Sequence, residues 1–225
     1  MARLARIVIP GIPHHVTQRG NRRMNVFFSD DDYQAYIHLL KDAARKSNTQ
    51  VWAYCLMPNH VHLILVPSHK DGLRATLGEA HRQYTRRINA RNKWTGHLWQ
   101  GRFGSVPMDE DHLLTAVRYV SLNPVRAKLV ERAEDWAWSS VRAHLAAADD
   151  ALVEVSSVLS RVQDFKALIE DDEERDDARF KQLRQGETIG RPLGSDNWLA
   201  HWEKKLDLKF RAKKRGPKGK VEKEG

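Results

Sequence analysis

The spacing of hydrophobic residues changes several times along the first half of the chain, and each change predicts an element. Residues 14–19 alternate and predict a strand, and Ser29 followed by three aspartates predicts the start of a helix. Two apolar runs at 50–56 and 60–66 are separated by three residues that include proline and asparagine. Because such residues favour tight turns, these runs predict a β-hairpin.

Helical and extended patterns alternate again further along the chain. Apolar residues recur at helical spacing over 73–88, a short strand is predicted at 102–106, and a third helix over 109–123. We expect Pro124 to mark the end of that helix, and 136–144 to form a further helical stretch. The order βαββαβα predicts an α+β class with a ferredoxin-like antiparallel sheet and helices on one face.

The composition changes after residue 145, which divides the chain into three predicted parts. Residues 1–145 form the main domain, and 146–208 a small helical C-terminal module with an acidic segment. In this module apolar residues including Trp198 and Trp202 repeat at helical spacing. Residues 209–225 are predicted to be a disordered basic tail.

Charge and cysteine content narrow the range of partners and compartments. The 225 residues carry a formal net charge of +9, which favours a polyanionic partner. No apolar run approaches the roughly 18 residues that a membrane span needs, and the N-terminus shows no targeting signal. Cys55 is the only cysteine, so no disulfide within the chain and no cysteine-built metal site is expected, which fits a reducing cytoplasm.

A histidine pair in the third predicted strand could bind a metal. His60 and His62 are two residues apart, which places both imidazoles on one face of a strand. Two nitrogen ligands and a third oxygen or amide ligand would suit a divalent cation with positions open for a phosphate oxygen. For an isolated pair of this kind, the alternative is two ordinary core or surface histidines.

The third predicted helix carries a tyrosine away from its apolar stripe. A rotation of about 100° per residue places Val117 and Val120 on one side and Tyr119 and Asn123 on another. Asn123 lies one turn beyond Tyr119, so the hydroxyl and the amide project together. The alternative is an ordinary tyrosine on the surface of an amphipathic helix.

Five segments together carry a resemblance to a known family. They are residues 11–20 (GIPHHVTQRG), 57–62 (MPNHVH), 99–103 (WQGRF), 119–127 (YVSLNPVRA) and 136–140 (WAWSS). Over about residues 9–144 the chain resembles the single-tyrosine transposases of the HUH class, particularly those associated with repetitive extragenic palindromes. A segment near the C-terminus, residues 190–194 (GRPLG), is also similar to one found in these transposases and hints at a second DNA contact.

The resemblance implies a ferredoxin-like nuclease that acts on single-stranded or hairpin DNA. His60 and His62 would bind Mg²⁺ or Mn²⁺, and Tyr119 would attack the DNA backbone, leaving a 5′-phosphotyrosine link and a free 3′-hydroxyl. Asn123 stands where related enzymes carry a glutamine and would be the third metal ligand. The implied location is the bacterial cytoplasm with the nucleoid, as a monomer or a homodimer.

Six arginines are candidates for phosphate contacts, although each alone could be a solvated charge. They are Arg19, Arg22, Arg23, Arg82, Arg86 and Arg102.

Two other functions stay open. One is a protein that binds palindromic hairpins without cutting them, and the other is a replication-initiation nickase that shares the histidine pair.

Overall fold

Four antiparallel strands form one sheet in the order β2-β3-β1-β4. The computed structural model describes residues 6–170 and 176–210. Its strands lie close to the predicted ones, and the mixed class and antiparallel sheet are confirmed. They are β1 (His14–Arg19), β2 (Thr49–Met57), β3 (His60–Pro67) and β4 (Gly104–Pro107).

Helices connect the strands and continue beyond them. Helix α1 begins after Ser29, as the run of aspartates predicts, and a 3-10 turn at Asn21–Arg23 precedes it. The helices are α1 (Asp30–Lys46), α2 (Gly72–Asn92), α3 (Glu110–Arg126), α4 (Val141–Leu145), α5 (Ser156–Leu159), α6 (Phe165–Glu170), α7 (Asp176–Ile189) and α8 (Asp196–Leu206).

Helices cover both faces of the sheet, so the expectation of helices on one face is wrong. Val16, Leu63 and Leu65 pack in one core with α1 and α2. Ile64 and Val106 face the other way and pack in a second core with α3. The physical reason is that β2 and β3 are apolar on both faces, and each face has to be removed from water.

The sequence suggested that helix α3 ends at Pro124, but the helix continues to Arg126. Proline lacks an N–H donor, yet its carbonyl and that of Asn123 still accept bonds from the following turn. The Ala127 N–H donates to Asn123 O at 3.0 Å, and the Leu129 N–H donates to Pro124 O at 2.9 Å. Tyr119 and Asn123 therefore both lie inside the helix.

The predicted helical stretch over 136–144 is wrong in its first half. Residues 136–140 run along the free edge of β2, where the Leu56 N–H donates to Trp138 O at 2.8 Å and the Ser140 N–H donates to Tyr54 O at 3.0 Å. Pairing with the sheet edge satisfies backbone groups that a helix would otherwise satisfy internally. Only Val141–Leu145 is helical.

The segment after residue 145 packs on the sheet domain. Phe165, Ile169, Phe180 and Leu183 belong to the same core as α3. The predicted boundary at residue 145 stays a prediction, and most of the basic tail, beyond residue 210, lies outside the described residues. None of the helices in the described ranges is both long and apolar enough to span a bilayer.

Candidate active site

Strand β3 places His60 and His62 side by side on the sheet face that α3 covers. The centroids of their rings are 4.8 Å apart and the ring planes are nearly perpendicular, at 78°. His62 is buried and His60 lies closer to the surface. The two-residue period of the strand therefore brings the two imidazoles together, as the sequence indicated.

Helix α3 brings Tyr119 against this pair. Its ring meets the ring of His62 edge-on, with centroids 5.4 Å apart and an interplanar angle of 89°. Only 7% of Tyr119 is exposed, so the residue lies in the core between α3 and the sheet. The prediction that Tyr119 lies off the packing stripe is therefore wrong, because the sheet face beneath α3 is the one that carries the histidines.

Asn123 lies one turn beyond Tyr119 and is nearly buried, at 9% exposed. Its Nδ2 donates to the Tyr119 carbonyl oxygen at a long 3.5 Å. Within residues 6–170 and 176–210, no group of three histidine, cysteine or acidic side chains could hold a metal ion. A metal bound at the histidine pair would therefore need another kind of protein ligand, and the amide oxygen of Asn123 is chemically suited to Mg²⁺ or Mn²⁺.

Burial keeps the two imidazoles uncharged. Burial, with a smaller contribution from charge repulsion by Arg19, lowers the pKa of His60 to about 4. Burial likewise holds the pKa of His62 well below its usual value, with smaller contributions from His60, His15 and Arg19. Neutral imidazoles keep a lone pair, which a metal ligand requires. The electrostatics therefore fit a divalent cation at this pair.

A third histidine supports the pair and was not singled out from the sequence. His15 on β1 is fully buried, and its Nε2 lies 3.1 Å from Nδ1 of His62. The two rings are stacked, with centroids 5.3 Å apart. A hydrogen bond at one ring nitrogen fixes the orientation of a histidine and the role of its other nitrogen. The antiparallel pairing of the first and third strands could have indicated this contact.

The six candidate arginines separate into two groups. Arg19 ends β1 opposite His60, and the exposed residues Arg22 and Arg23 follow in the adjoining turn. Arg82 and Arg102 line a cleft that is bounded by α2, on the other face of the sheet. The sixth, Arg86, is exposed on α2, one turn beyond Arg82.

The turn that carries Arg22 and Arg23 is backbone-strained, because both residues have positive φ angles, of 55° and 61°. It is held to the hairpin between β2 and β3, where the Gly20 N–H donates to Asn59 O at 2.8 Å. Asn59 Nδ2 also donates to Arg23 O at 3.1 Å. A Cβ on Gly20 would lie 2.2 Å from Met24 O, so the turn requires glycine there. Its position next to the histidine pair is therefore fixed.

Helix α7 covers the candidate nucleophile. The ring of Phe180 packs on Tyr119 with centroids 5.1 Å apart, and Phe180 is fully buried. The Arg126 guanidinium in turn lies 5.0 Å from the centroid of the Phe180 ring. No residue pattern indicates this contact, since it joins residues far apart in the chain. Phe180 therefore covers part of the Tyr119 ring.

The family described as "Transposase IS200 like" matches residues 9–123, which is about half of the chain and includes the three histidines, Tyr119 and Asn123. The chain belongs to this family of transposases.

Two known proteins are similar to this chain. A putative REP-associated tyrosine transposase of Haemophilus influenzae is 28% identical over 99 residues, which span 39% of this chain and 56% of that relative. The chain thus matches about half the length of that relative. A solved structure of a REP-associated tyrosine transposase bound to a REP hairpin aligns with a TM-score of 0.57 and 23% identity, over 69% of this chain and 93% of its own. That likeness confirms the fold of this chain.

The buried histidines make the stability of this protein depend on pH. Burial lowers the pKa of His14 and His60 to about 4 and that of His15 and His81 to about 3. In the unfolded chain a histidine titrates near 6.5, so below that pH the unfolded state binds more protons and the native state loses stability. Each histidine contributes up to about 1.4 kcal/mol per pH unit between its two pKa values.

We therefore expect the free energy of unfolding to fall by several kcal/mol between about pH 7 and about pH 5. Urea unfolding at a series of pH values measures it. His81→Gln removes one such group away from the histidine pair and should reduce the pH slope, whereas His38→Gln, on the exposed side of α1, should leave the slope as it is. A flat profile over this range would contradict the prediction.

Proposed function

We propose that this protein is a metal-dependent single-strand DNA endonuclease and strand transferase that cuts hairpin or palindromic DNA through Tyr119. The observation that carries the proposal is the contact between Tyr119 and His62, 5.4 Å between ring centroids, in a chain of the IS200-like family. A phenol beside two neutral imidazoles that can hold a divalent cation fits metal-assisted phosphoryl transfer to tyrosine.

The reaction exchanges one phosphodiester bond for another. The Tyr119 oxygen forms a bond to phosphorus, the bond from phosphorus to the 3′ oxygen breaks, the phenol proton is released and the 3′ oxygen gains a proton. The products are a 5′-phosphotyrosine and a free 3′-hydroxyl. Because the energy of the phosphodiester is kept in the covalent link, a 3′-hydroxyl can attack in the reverse direction and join strands.

His60, His62 and Asn123 would hold the cation, and His15 would fix the orientation of His62. A bound Mg²⁺ or Mn²⁺ ion supplies charge stabilisation to the scissile phosphate, which a phenol near neutral pH needs because it is a weak nucleophile. Arg19, beside His60, is placed to contact the DNA phosphates close to the cut.

Hairpin DNA is the proposed substrate, in the bacterial cytoplasm with the nucleoid. The support comes from the solved relative of the same fold, which is bound to a REP hairpin, and from the net charge of +9 on this chain. We further propose that residues 1–145 form the nuclease domain and that 146–208 form a helical module packed on it, with 209–225 as a basic tail. A homodimer is compatible with this chemistry, since a second protomer could supply the strand-joining step.

A second function is favoured by one specific observation. Phe180 packs on Tyr119 and only 7% of Tyr119 is exposed, so little of the proposed nucleophile is accessible. Such a protein could recognise palindromic hairpins through its arginines without cutting them. The two functions make opposite predictions for covalent attachment to DNA.

The deciding experiment is a denaturing-gel assay with labelled single-stranded hairpin DNA. Wild-type protein is expected to form a covalent protein–DNA band with Mg²⁺ or Mn²⁺ and none in a chelator, and Tyr119→Phe is expected to form none under any condition. Binding of the same hairpin by Tyr119→Phe shows that the variant is folded and engages DNA. Tight binding by the wild type with no covalent band, over several palindromic hairpins and both metals, would favour the second function.

A further inference from the structure

The side chain of Asn59 lies between His60 and the turn that carries Arg22 and Arg23. Its Oδ1 is 2.6 Å from Nδ1 of His60, and its Nδ2 donates to Arg23 O at 3.1 Å. Both contacts use one planar amide, so together they fix its orientation. The amide therefore joins a proposed metal ligand to the neighbouring turn.

The chemistry of these groups determines which nitrogen of His60 carries the proton. The carbonyl oxygen of Arg23 can only accept, so the amide must direct its N–H there and its oxygen towards His60. The flipped amide would place two oxygens 3.1 Å apart with no proton between them. Because an amide oxygen also only accepts, Nδ1 of His60 must be the donor. A neutral imidazole has one N–H, so Nε2 keeps the lone pair.

The other histidine of the pair has a protein partner at the same ring nitrogen. Nδ1 of His62 lies 3.1 Å from Nε2 of His15. In both His60 and His62, Nδ1 thus faces the protein and Nε2 is the nitrogen that remains for a cation. Histidines that bind metals commonly use one ring nitrogen for the metal while a protein group holds the other.

The formation of the hairpin turn does not account for an asparagine at position 59. Asparagine is favoured in turns where φ is positive, but Asn59 is not among the described residues with a positive φ. Backbone bonds also hold this turn. The Gly20 N–H donates to Asn59 O and the Val26 N–H donates to Pro58 O, both at 2.8 Å. The position of the turn is therefore largely independent of the Asn59 side chain.

We propose that Asn59 is a positioning residue, which holds His60 with its proton on Nδ1 and keeps the lone pair of Nε2 for the metal ion. This inference rests on the proposed function, because it assigns a further residue to the same site. A ring whose orientation and tautomer are already fixed loses less entropy when a cation binds. Asn59 acts through His60 and does not itself contact the cation.

The first measurement is the tautomer of His60 in the metal-free protein near neutral pH. Long-range proton–nitrogen correlation spectra of protein with isotope-labelled histidine distinguish a protonated ring nitrogen from one with a lone pair. The His60 signals are identified by their loss in His60→Gln. We expect the proton on Nδ1 in the wild type and a mixture of tautomers in Asn59→Ala. A proton on Nε2 in the wild type overturns the proposal.

The second measurement is the affinity for Mn²⁺ without DNA, from the electron paramagnetic resonance signal of the free ion. Asn59→Ala is expected to weaken binding about tenfold or more. Asn59→Asp keeps an oxygen for the N–H of His60 but loses the donor to Arg23 O, and should bind Mn²⁺ at least as tightly as the wild type. Both variants lose the bond to Arg23 O. Equal weakening in both would therefore mean that Asn59 only holds the turn, which overturns the proposal.

Asn89 provides a matched control on α2. It is half-buried, as Asn59 is, and its Nδ2 donates to Gly96 O at 3.0 Å, away from the histidine pair. Asn89→Ala and Asn89→Asp each remove one bond from an amide to a backbone carbonyl. Both should leave the Mn²⁺ affinity and the tautomer of His60 unchanged. If they alter these as much as the Asn59 variants do, the effect is not specific to Asn59 and the proposal is overturned.

These measurements separate the role of Asn59 from the proposed function. Neither uses DNA, so both are independent of whether Tyr119 is the nucleophile. A wild type that binds Mn²⁺ and cuts hairpins, beside an Asn59→Ala protein of unchanged Mn²⁺ affinity, would overturn the role of Asn59 and leave the proposed function intact. A wild type that binds no Mn²⁺ would overturn both, since no cation would then be held at the histidine pair.

Discussion

A His62→Ala protein is expected to form the covalent DNA adduct roughly a hundredfold to a thousandfold more slowly than wild type in single-turnover assays. His62 is the buried member of the histidine pair, the one that Tyr119 contacts and that His15 orients. Its loss removes a proposed metal ligand and the ring that packs against Tyr119. Binding of Mn²⁺ should weaken in parallel. It can be measured by electron paramagnetic resonance, because the signal of free Mn²⁺ is lost when the ion binds.

The matching control is His38→Ala, which removes an exposed histidine of α1 and should preserve both rate and metal affinity. If His62→Ala is too unstable to purify, His62→Asn keeps a polar ligand of smaller size, and His60→Ala removes the less buried partner. Unchanged metal affinity in folded variants of both histidines would place the metal elsewhere. A slow rate at saturating Mn²⁺ with unchanged affinity would give His62 a role in positioning Tyr119 alone.

The pairing of His60 with His62 could be predicted from sequence because it depends only on the period of a strand. The same holds for Tyr119 and Asn123, which are one helical turn apart on any helix. Local geometry of this kind is set within a few residues. The prediction that α3 ends at Pro124 failed because tertiary packing outweighed the tendency of proline to end a helix. The carbonyls of Asn123 and Pro124 also accept hydrogen bonds from the next turn, which continues the helix.

The face of the sheet that each helix covers could not be predicted in the same way. The runs of β2 and β3 are apolar at nearly every position, which is compatible with helices on either face or on both. Helices on one face only would place α3 beside α1 and α2. The structure instead places α3 on the opposite face, over His62, as the roles implied by the family resemblance require.

Non-local contacts were the least predictable part of the site. His15 and His62 are 47 residues apart and meet only because β1 pairs with β3. Phe180 lies beyond the region of resemblance, in a segment that composition describes only as helical and charged. Its packing on Tyr119 depends on how α7 docks against α3 and β4, which no residue pattern specifies.

A protein in which Phe180 is replaced by alanine is expected to form the covalent adduct about tenfold faster than wild type. The buried ring lies 5.1 Å from the ring of Tyr119, centroid to centroid, and covers it. Removing it should expose more of the proposed nucleophile, and it also costs packing free energy, on the order of 3–5 kcal/mol for a buried phenylalanine. Adduct formation should therefore rise while the melting temperature falls.

A reversible crosslink separates access to Tyr119 from a general loosening of the fold. A Cβ on Gly186 of α7 would lie 3.5 Å from both γ-carbons of Val106 on β4, so cysteines at these two positions are close enough for a disulfide. The oxidised Val106→Cys, Gly186→Cys protein holds α7 in place and is expected to cleave about a hundredfold more slowly than its own reduced form. The reduced form is the matched control, since it differs only by the crosslink. Equal rates in both forms, together with no gain in Phe180→Ala, would mean that DNA reaches Tyr119 without displacement of α7.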